Sequence, residues 1–384
     1  MRLDSEPNVY STDRPSPGRG ITVVLAGASG ELGQRIADCL LEYGATVKAL
    51  VRPGSTSNLE GLREAGVQLI TVNYNDRRAL VAACTGSSCV VSALNGLEDV
   101  MIGIQTTLLE AAVEAGVPRF IPSDYCIDYQ RTPPGSNRNL DLRREFASLL
   151  DTAPIRATSI LNGMFSELLN GPAPVVLLPI RRIMYWGSPE QRLDFTTMDD
   201  AAEYTALAAL DDDAPRYLRI AGSELNAHGL AEVASEVTGK KFRLLRAGGL
   251  RSFGLLIRLT RILTPQKGEV FPPWQGMQYL HNMFSGRGKL YPLDNGRYPW
   301  MKWKGVGEVL NTEAAISVHT PALPTRQMEE KPAIEPGSAR IIELGSKQDG
   351  EKKEWRAESF SGLMAASLDN NDRQQKGEPR EEQQ

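Results

Sequence analysis

The chain has 384 residues, 41% of them hydrophobic, which is enough for at least one substantial core, and its formal net charge of -4 gives no general positive field. No nucleic acid partner is therefore expected. Single cysteines (Cys39, Cys84, Cys89, Cys126), three scattered histidines (His228, His281, His319) and the lack of a secretory layout or membrane-length apolar run predict a cytoplasmic protein with no disulfide, metal or membrane partner.

Residues 1–19 are polar and rich in Pro, Ser and Gly, and predict a flexible arm. Ile21 to Leu25 is an apolar, β-branched run; a glycine-rich turn follows, and then Leu32, Ile36 and Leu40 recur every fourth residue. That order is strand, loop, helix. It repeats with strands over Thr46 to Val51, Gln68 to Val72, Cys89 to Ser92 and Phe120 to Pro122. Between them lie helices over Leu59 to Ala65 and Arg77 to Cys84, and a longer one marked by Ile104, Leu108, Ala111 and Ala115. Continuous apolar strands alternating with such helices predict an α/β fold with a doubly wound parallel sheet.

Residues 123–139 are dense in turn formers and predict a surface loop above the sheet, with Pro133 and Pro134 excluding helix. A helix from Leu140 to Leu150 and a strand from Arg156 to Leu161 come next, before Gly171, Pro172 and Pro174 break the pattern. A nucleotide domain over 20–170, with later segments open, and a smaller C-terminal α+β substrate lobe over 171–314 follow from that break. The lobe should hold strands Val175 to Leu178, Arg182 to Tyr185 and Tyr217 to Ile220, and helices Ala201 to Leu210 and Leu230 to Val237, the latter with Asn226 as a cap. Phe271 to Trp303 shows no clear period and reads as cleft lining. The charged segment 320–384 predicts a disordered tail.

Gly27-Ala28-Ser29-Gly30-Glu31-Leu32-Gly33 is a GxxGxxG element between the first strand and the first helix. Glycine at the turn admits backbone angles closed to other residues, a second lets the main chain approach a pyrophosphate, and a third lets the helix pack on the strand. Uncapped N–H groups of Ser29, Gly30, Glu31 and Leu32 would receive the diphosphate at the positive end of the helix. This is the pattern of a Rossmann-type fold. About twenty residues on, where an acid would bond the ribose of NAD, stands Arg52. A guanidinium there favours the 2′-phosphate of NADP(H), with Ser55 and Ser57 as helpers; the alternative is a solvated surface charge. Ser92, Ala93 and Asn95 at the end of the fourth strand either let a ribose lie close or simply end the strand.

With these motifs the sequence resembles the NmrA-like and isoflavone-reductase-like branch of the atypical short-chain dehydrogenases/reductases. GASGELG, VRPGS, AAVEAGVPRFIPSDY, APIRATSILNGMF and SEVTGK occur in that order over roughly residues 20 to 310. The resemblance implies NADP(H) in a crevice between a Rossmann domain and a discontinuous lobe. It also implies that Phe120 to Tyr125 and Asn162 to Phe165 border the nicotinamide, which adds Pro122, Ser123, Asn162 and Phe165 to the cofactor set.

The superfamily's Tyr-x-x-x-Lys pair has one match, Tyr298 with Lys302, interrupted by Pro299 and beyond the nucleotide domain. The reductase branch instead implies a lysine on the helix after the loop, and counting thirteen residues back from Arg156 puts Arg143 there. Arginine does not release its proton. Arg143 therefore either stabilises a developing oxyanion, marks a lost activity, or merely pairs with Asp141 or Glu145 on the helix surface. Tyr125, beside Ser123, Asp124 and Asp128, is the expected proton donor to a reduced carbonyl or quinone-methide-like product, the alternative being that it packs against the lobe interface with its hydroxyl exposed. Two readings remain open: an NADP(H)-dependent reductase of a small apolar or aromatic molecule, or a non-catalytic redox sensor that reports NADP(H) to a protein partner.

Overall fold

The computed structural model describes residues 17–55 and 59–311. The arm expected up to residue 16, Ser57, His319 and the tail expected over 320–384 lie outside the described residues. Pro17 to Gly20 form a turn, and Gly18 donates to the Tyr43 carbonyl, so the last three residues expected in the arm already pack on the fold.

The first half is strand–helix alternation. β1 (Thr22–Ala26), α1 (Glu31–Glu42), β2 (Thr46–Val51), α2 (Leu59–Glu64), β3 (Gln68–Thr71), α3 (Arg77–Cys84) and β4 (Cys89–Ser92) are followed by a π-helical turn (Asp99–Ile104). That turn runs into α4 (Gln105–Glu114); β5 (Arg119–Ile121), α5 (Arg138–Leu150), β6 (Arg156–Ala157) and β7 (Ser159–Leu161) complete the run. The sheet has the order β3-β2-β1-β4-β5-β6 and is wholly parallel. Successive residues of a strand point to opposite faces. Val23 and Leu25 accordingly pack with Ile36 and Leu40 of α1, while Val24 and Ala26 pack with Leu80, Leu108 and Phe146 on the other side. The chain order reverses between β1 and β4, and in open α/β sheets ligands bind at that switch point, beyond the carboxyl ends of the strands.

The described residues that follow, up to 311, are shared between the nucleotide layer and a smaller lobe. It passes through β8 (Met164–Phe165), β9 (Val176–Leu177), β10 (Arg182–Trp186) and β11 (Leu193–Thr196) into α6 (Met198–Leu210) and β12 (Tyr217–Arg219). Tyr204 and Leu207 of α6 join the core beneath α1, and Arg35 of α1 meets Asp199 at 2.8 Å. β7 continues the line of β6 past Thr158, whose N–H still reaches the Phe120 carbonyl, and pairs in parallel with β12. Segment 198–219 thus belongs to the nucleotide layer. The lobe itself holds β13 (Ser223–Leu225), α7 (Ala227–Thr238), β14 (Arg243–Gly248), α8 (Leu250–Leu263) and α9 (Pro273–Phe284), with the small sheets β13-β11-β8 and β14-β10-β9. Asn226 caps α7 by accepting from Gly229 N–H at 2.9 Å, and the rings of Trp186 and Phe253 stack 4.2 Å apart.

α9 corrects the expectation of aperiodic sequence between Phe271 and Trp303. Pro273 sits in the first turn, where its missing N–H costs nothing, and Trp274, Met277, Leu280 and Phe284 are buried. Among the described residues no helix is long and apolar enough to cross a membrane, and no cluster of His, Cys, Asp and Glu could hold a metal ion.

Candidate functional site

The glycine loop follows β1 directly. Gly27 has φ +86°, and a Cβ there would stand 2.5 Å from the Ala93 carbonyl oxygen at the end of β4. A Cβ on Gly33 would be driven into the carbonyl of Gly27, so α1 can lie this close to β1 only without one. Gly30 has extended angles, and its nearest prospective neighbour is 3.5 Å away. It opens α1 with no side-chain cap. Ser29, Gly30 and Glu31 are exposed, Leu32 is half-buried and Gly33 is buried, so the uncapped first turn faces outward at the switch point. This cradle fits a diphosphate group.

Arg52 follows β2, is exposed, and makes no ion pair among the described residues. Across the switch point, Ala93 N–H continues the ladder to the Ala26 carbonyl at 2.8 Å and Asn95 is exposed. Ser92 is fully buried, and its hydroxyl has no hydrogen-bond partner. The loops after β4 and β5 are stitched together. Ser123 donates from Oγ to the Leu94 carbonyl at 2.6 Å, and its N–H reaches Gln105 Oε1 at 2.8 Å. Pro122 is buried beside them.

Asn162 lies past the end of β7 with its backbone held from both sides: its N–H donates to Cys126 O, and its carbonyl accepts from Thr196 Oγ1. Its side chain is fully buried, yet neither Oδ1 nor Nδ2 has a partner. Buried polar groups are ordinarily paired, so an orphaned carboxamide beyond the sheet's carboxyl end marks a place where a ligand would supply the missing bonds. Phe165, three residues on in β8, is half-buried against the core beneath α1.

Tyr125 does not point to that cleft. Its ring belongs to the core shared with Tyr204 and Ala208 of α6, and its hydroxyl is buried beside Thr205 with no hydrogen bond. Burial pushes the phenol well above its ordinary range. Tyr125 therefore packs against α6, as its alternative reading had it, but with the hydroxyl buried rather than exposed. Asp124 is also buried; Tyr129 donates to its Oδ2 at 3.1 Å, and burial raises its carboxyl against the pull of Ser159, Arg143 and Arg216. Asp128 is taken by Arg219 at 2.8 Å.

Arg143 turns inward from α5 and is only 8% exposed. Its Nε donates to the Asp124 carbonyl at 2.6 Å and its Nη1 to the Asn139 carbonyl at 3.0 Å, leaving Nη2 without a partner among the described residues. The surface pairing is made instead by Arg144, which holds Asp141 at 2.6 Å and the carbonyls of Tyr129 and Thr132. Asn137 caps α5 by accepting from Leu140 N–H, and the same Oδ1 accepts from Gln275 Nε2 of α9 at 2.6 Å. Tyr279 lies one turn beyond Gln275 on that face, half-buried. Burial raises its phenol and the Arg143 charge opposes the rise. Sequence reasoning missed Tyr279. The signal available was the Pro-Pro start and the Trp274, Met277, Leu280 and Phe284 spacing of α9.

A surface hollow lies elsewhere, lined by Leu207, Leu210, Asp211, Arg297, Tyr298 and Trp300. Tyr298 donates there to Asp211 at 2.8 Å and Lys302 is exposed, so the single Tyr-x-x-x-Lys match forms no pair and lies away from the glycine loop.

Residues 20–251 match the model of the NmrA-like family. Pinoresinol reductase 2 of Arabidopsis thaliana is 27% identical over 254 residues, spanning 60% of this chain and 79% of its own. A bifunctional pinoresinol-lariciresinol reductase 1 of Linum usitatissimum is 26% identical over 239 residues, 58% and 76% of the two chains. Among solved structures, AtPrR2 with NADP+ and (+)pinoresinol superposes with a TM-score of 0.64 at 24% identity, covering 76% of this chain and 98% of that one. The binary complex of leucoanthocyanidin reductase and NADPH from Vitis vinifera gives 0.64 at 20% identity, over 77% and 99%. These two likenesses bear on the fold.

Proposed function

The chain belongs to the NmrA-like family, and on that premise we propose that it is an NADP(H)-dependent reductase of a small apolar or aromatic substrate. The observation that carries the reading is the glycine cradle, in which Gly27 and Gly33 admit no side chain and the first turn of α1 is left uncapped. The reductase names of the relatives support the reaction class.

Bound NADPH supplies a hydride. The first-turn amides of α1 hold the diphosphate, Arg52 takes the 2′-phosphate, and Ser92, Ala93, Asn95, Pro122 and Ser123 form the far wall. Asn162 orients the nicotinamide end with its unpaired carboxamide, and Phe165 closes that side. An acceptor that gains hydride becomes an anion and needs one proton. Arg143 stays charged and stabilises the developing negative oxygen through Nη2, while Tyr279 delivers the proton.

Fluorescence titration with NADPH and NADH tests the cofactor assignment. Arg52→Glu should weaken NADPH about ten- to a hundredfold, the worth of a charge-assisted bond, and leave NADH nearly unchanged. Unchanged selectivity removes Arg52 from the site. Tight NADPH binding with no oxidation by any aromatic carbonyl or phenylpropanoid-like acceptor would favour the redox-sensor reading, which the arginine at position 143 motivates.

A further inference from the structure

We propose that α8 is a peripheral membrane-docking element that lays its outer face on an anionic lipid surface. A helix on the edge of a folded lobe ordinarily has one apolar stripe, turned inward. α8 has two. Phe253, Ile257 and Thr260 are buried against the lobe, and Phe253 stacks on Trp186. Leu255, Leu259, Ile262 and Leu263 are 57%, 48%, 75% and 73% exposed. Their i, i+4, i+7, i+8 spacing makes one continuous outer stripe. Phe271, exposed just before α9, extends the apolar surface.

The charge along α8 and the strand before it is of one sign, the first acid beyond them being the exposed Glu269, two residues before Phe271. Between residues 240 and 268 the sequence holds eight Lys or Arg and no Asp or Glu, in a chain whose overall charge is -4. Arg251 and Arg258 are exposed, seven residues apart along the same edge of the stripe, and make no ion pair among the described residues. At 3.6 residues per turn they flank Ile262 within a small fraction of a turn. A helix that exposes leucine and isoleucine beside unpaired arginines matches a surface that is apolar below and negative above, which is the headgroup boundary of an anionic bilayer. An antiparallel pairing with a second copy of the chain fits less well, because its two-fold axis would set this arginine edge against itself. Contact of this kind needs no spanning segment.

The test is sedimentation of the full-length protein with vesicles of phosphatidylcholine alone and of phosphatidylcholine containing roughly a third phosphatidylserine. Binding should be confined to the phosphatidylserine vesicles and weaken with added salt. Arg251→Gln with Arg258→Gln should lower partitioning about twentyfold at low salt. Leu255→Gln with Ile262→Gln should lower it by at least about tenfold at any salt. Both double variants should keep wild-type NADPH fluorescence, which shows that the fold is intact. No binding to either vesicle, equal binding to both, or wild-type partitioning by both variants would each overturn the proposal. So would a wild-type dimer by sedimentation equilibrium that Leu255→Gln with Ile262→Gln dissociates, since the stripe would then be an interface between copies.

Discussion

Arg143 donates from Nε to the backbone carbonyl of Asp124 at 2.6 Å, which fastens the helix after the loop to the end of the strand before it. A side chain in the position that the reductase branch fills with lysine therefore also has a structural task. Arg143→Met should leave the Asp124 and Asn139 carbonyls short of a partner and cost about 1–3 kcal/mol of stability by chemical denaturation. Arg143→Lys should introduce a group that titrates near neutral pH in this desolvated place. The pH–rate profile should gain a limb between about pH 6 and 9 that the wild type lacks. Identical profiles would remove residue 143 from the chemistry.

The two tyrosines near the loop should separate cleanly. Tyr279→Phe is expected to lower kcat about a hundredfold or more, with KM and NADPH affinity little changed, as for loss of a general acid. Tyr125→Phe should turn over within about twofold of wild type and lose almost no stability, because its buried hydroxyl has no partner to forfeit. The reverse ranking in steady-state kinetics would restore Tyr125 and dismiss Tyr279.

Glycines of one motif should respond unequally. Gly33→Ala forces α1 away from β1 and should cost about 1–3 kcal/mol, with NADPH affinity falling in parallel. Gly30→Ala meets only an ordinary 3.5 Å neighbour and should stay within about 0.5 kcal/mol of wild type. Thermal melts of the two variants side by side decide it.

Asp200, at the start of α6, accepts from the Lys304 N–H at 2.9 Å, and burial raises its carboxyl to about 6 from 3.8. The folded chain therefore holds this proton more tightly than the unfolded one. Its contribution is complete below about pH 4 and disappears as the pH climbs through 6. Asp200→Asn keeps an acceptor for Lys304 and does not ionise. Its stability relative to wild type should rise between pH 4 and 7, by at most about 3 kcal/mol for a shift of this size. A difference that is the same at pH 4.5 and 7 in urea titrations would show that the carboxyl does not titrate in this range.

The parallel sheet was legible because local signals agreed. Val23 to Ala26 are apolar on both faces, as a strand covered by helices on each side must be, and the glycine loop sits where a strand becomes a helix. The two readings of Tyr125 stayed open in the sequence for a physical reason. Position just past a strand's carboxyl end indicates a neighbourhood, but not whether a side chain turns up to the cleft or down into the core, and α6, which buries it, arrives some seventy residues later. Arg143 was open to a surface pair with Asp141 or Glu145; its neighbour Arg144 makes that pair with Asp141 instead, because the helix turn separates the two and sends only Arg144 outward. Tyr279 depends on α9, whose period is blurred by buried polar residues, Gln275, Gln278 and Asn282. Gln275 and Gln278 bond the start of α5 rather than water, and such pairing is invisible in a one-dimensional pattern.

The strand Tyr217–Arg219 fills the slot beside β7. During synthesis, Ser159–Leu161 emerges long before its neighbour exists, and the nascent sheet waits with an unpaired rim, which the finished fold buries, until some sixty more residues have been added. A polypeptide stopped near residue 170 would keep that rim open for good and should precipitate by joining rims with its own kind. Completion of the nucleotide fold is thus a late event on the ribosome, tied to translation of the segment between β7 and β12.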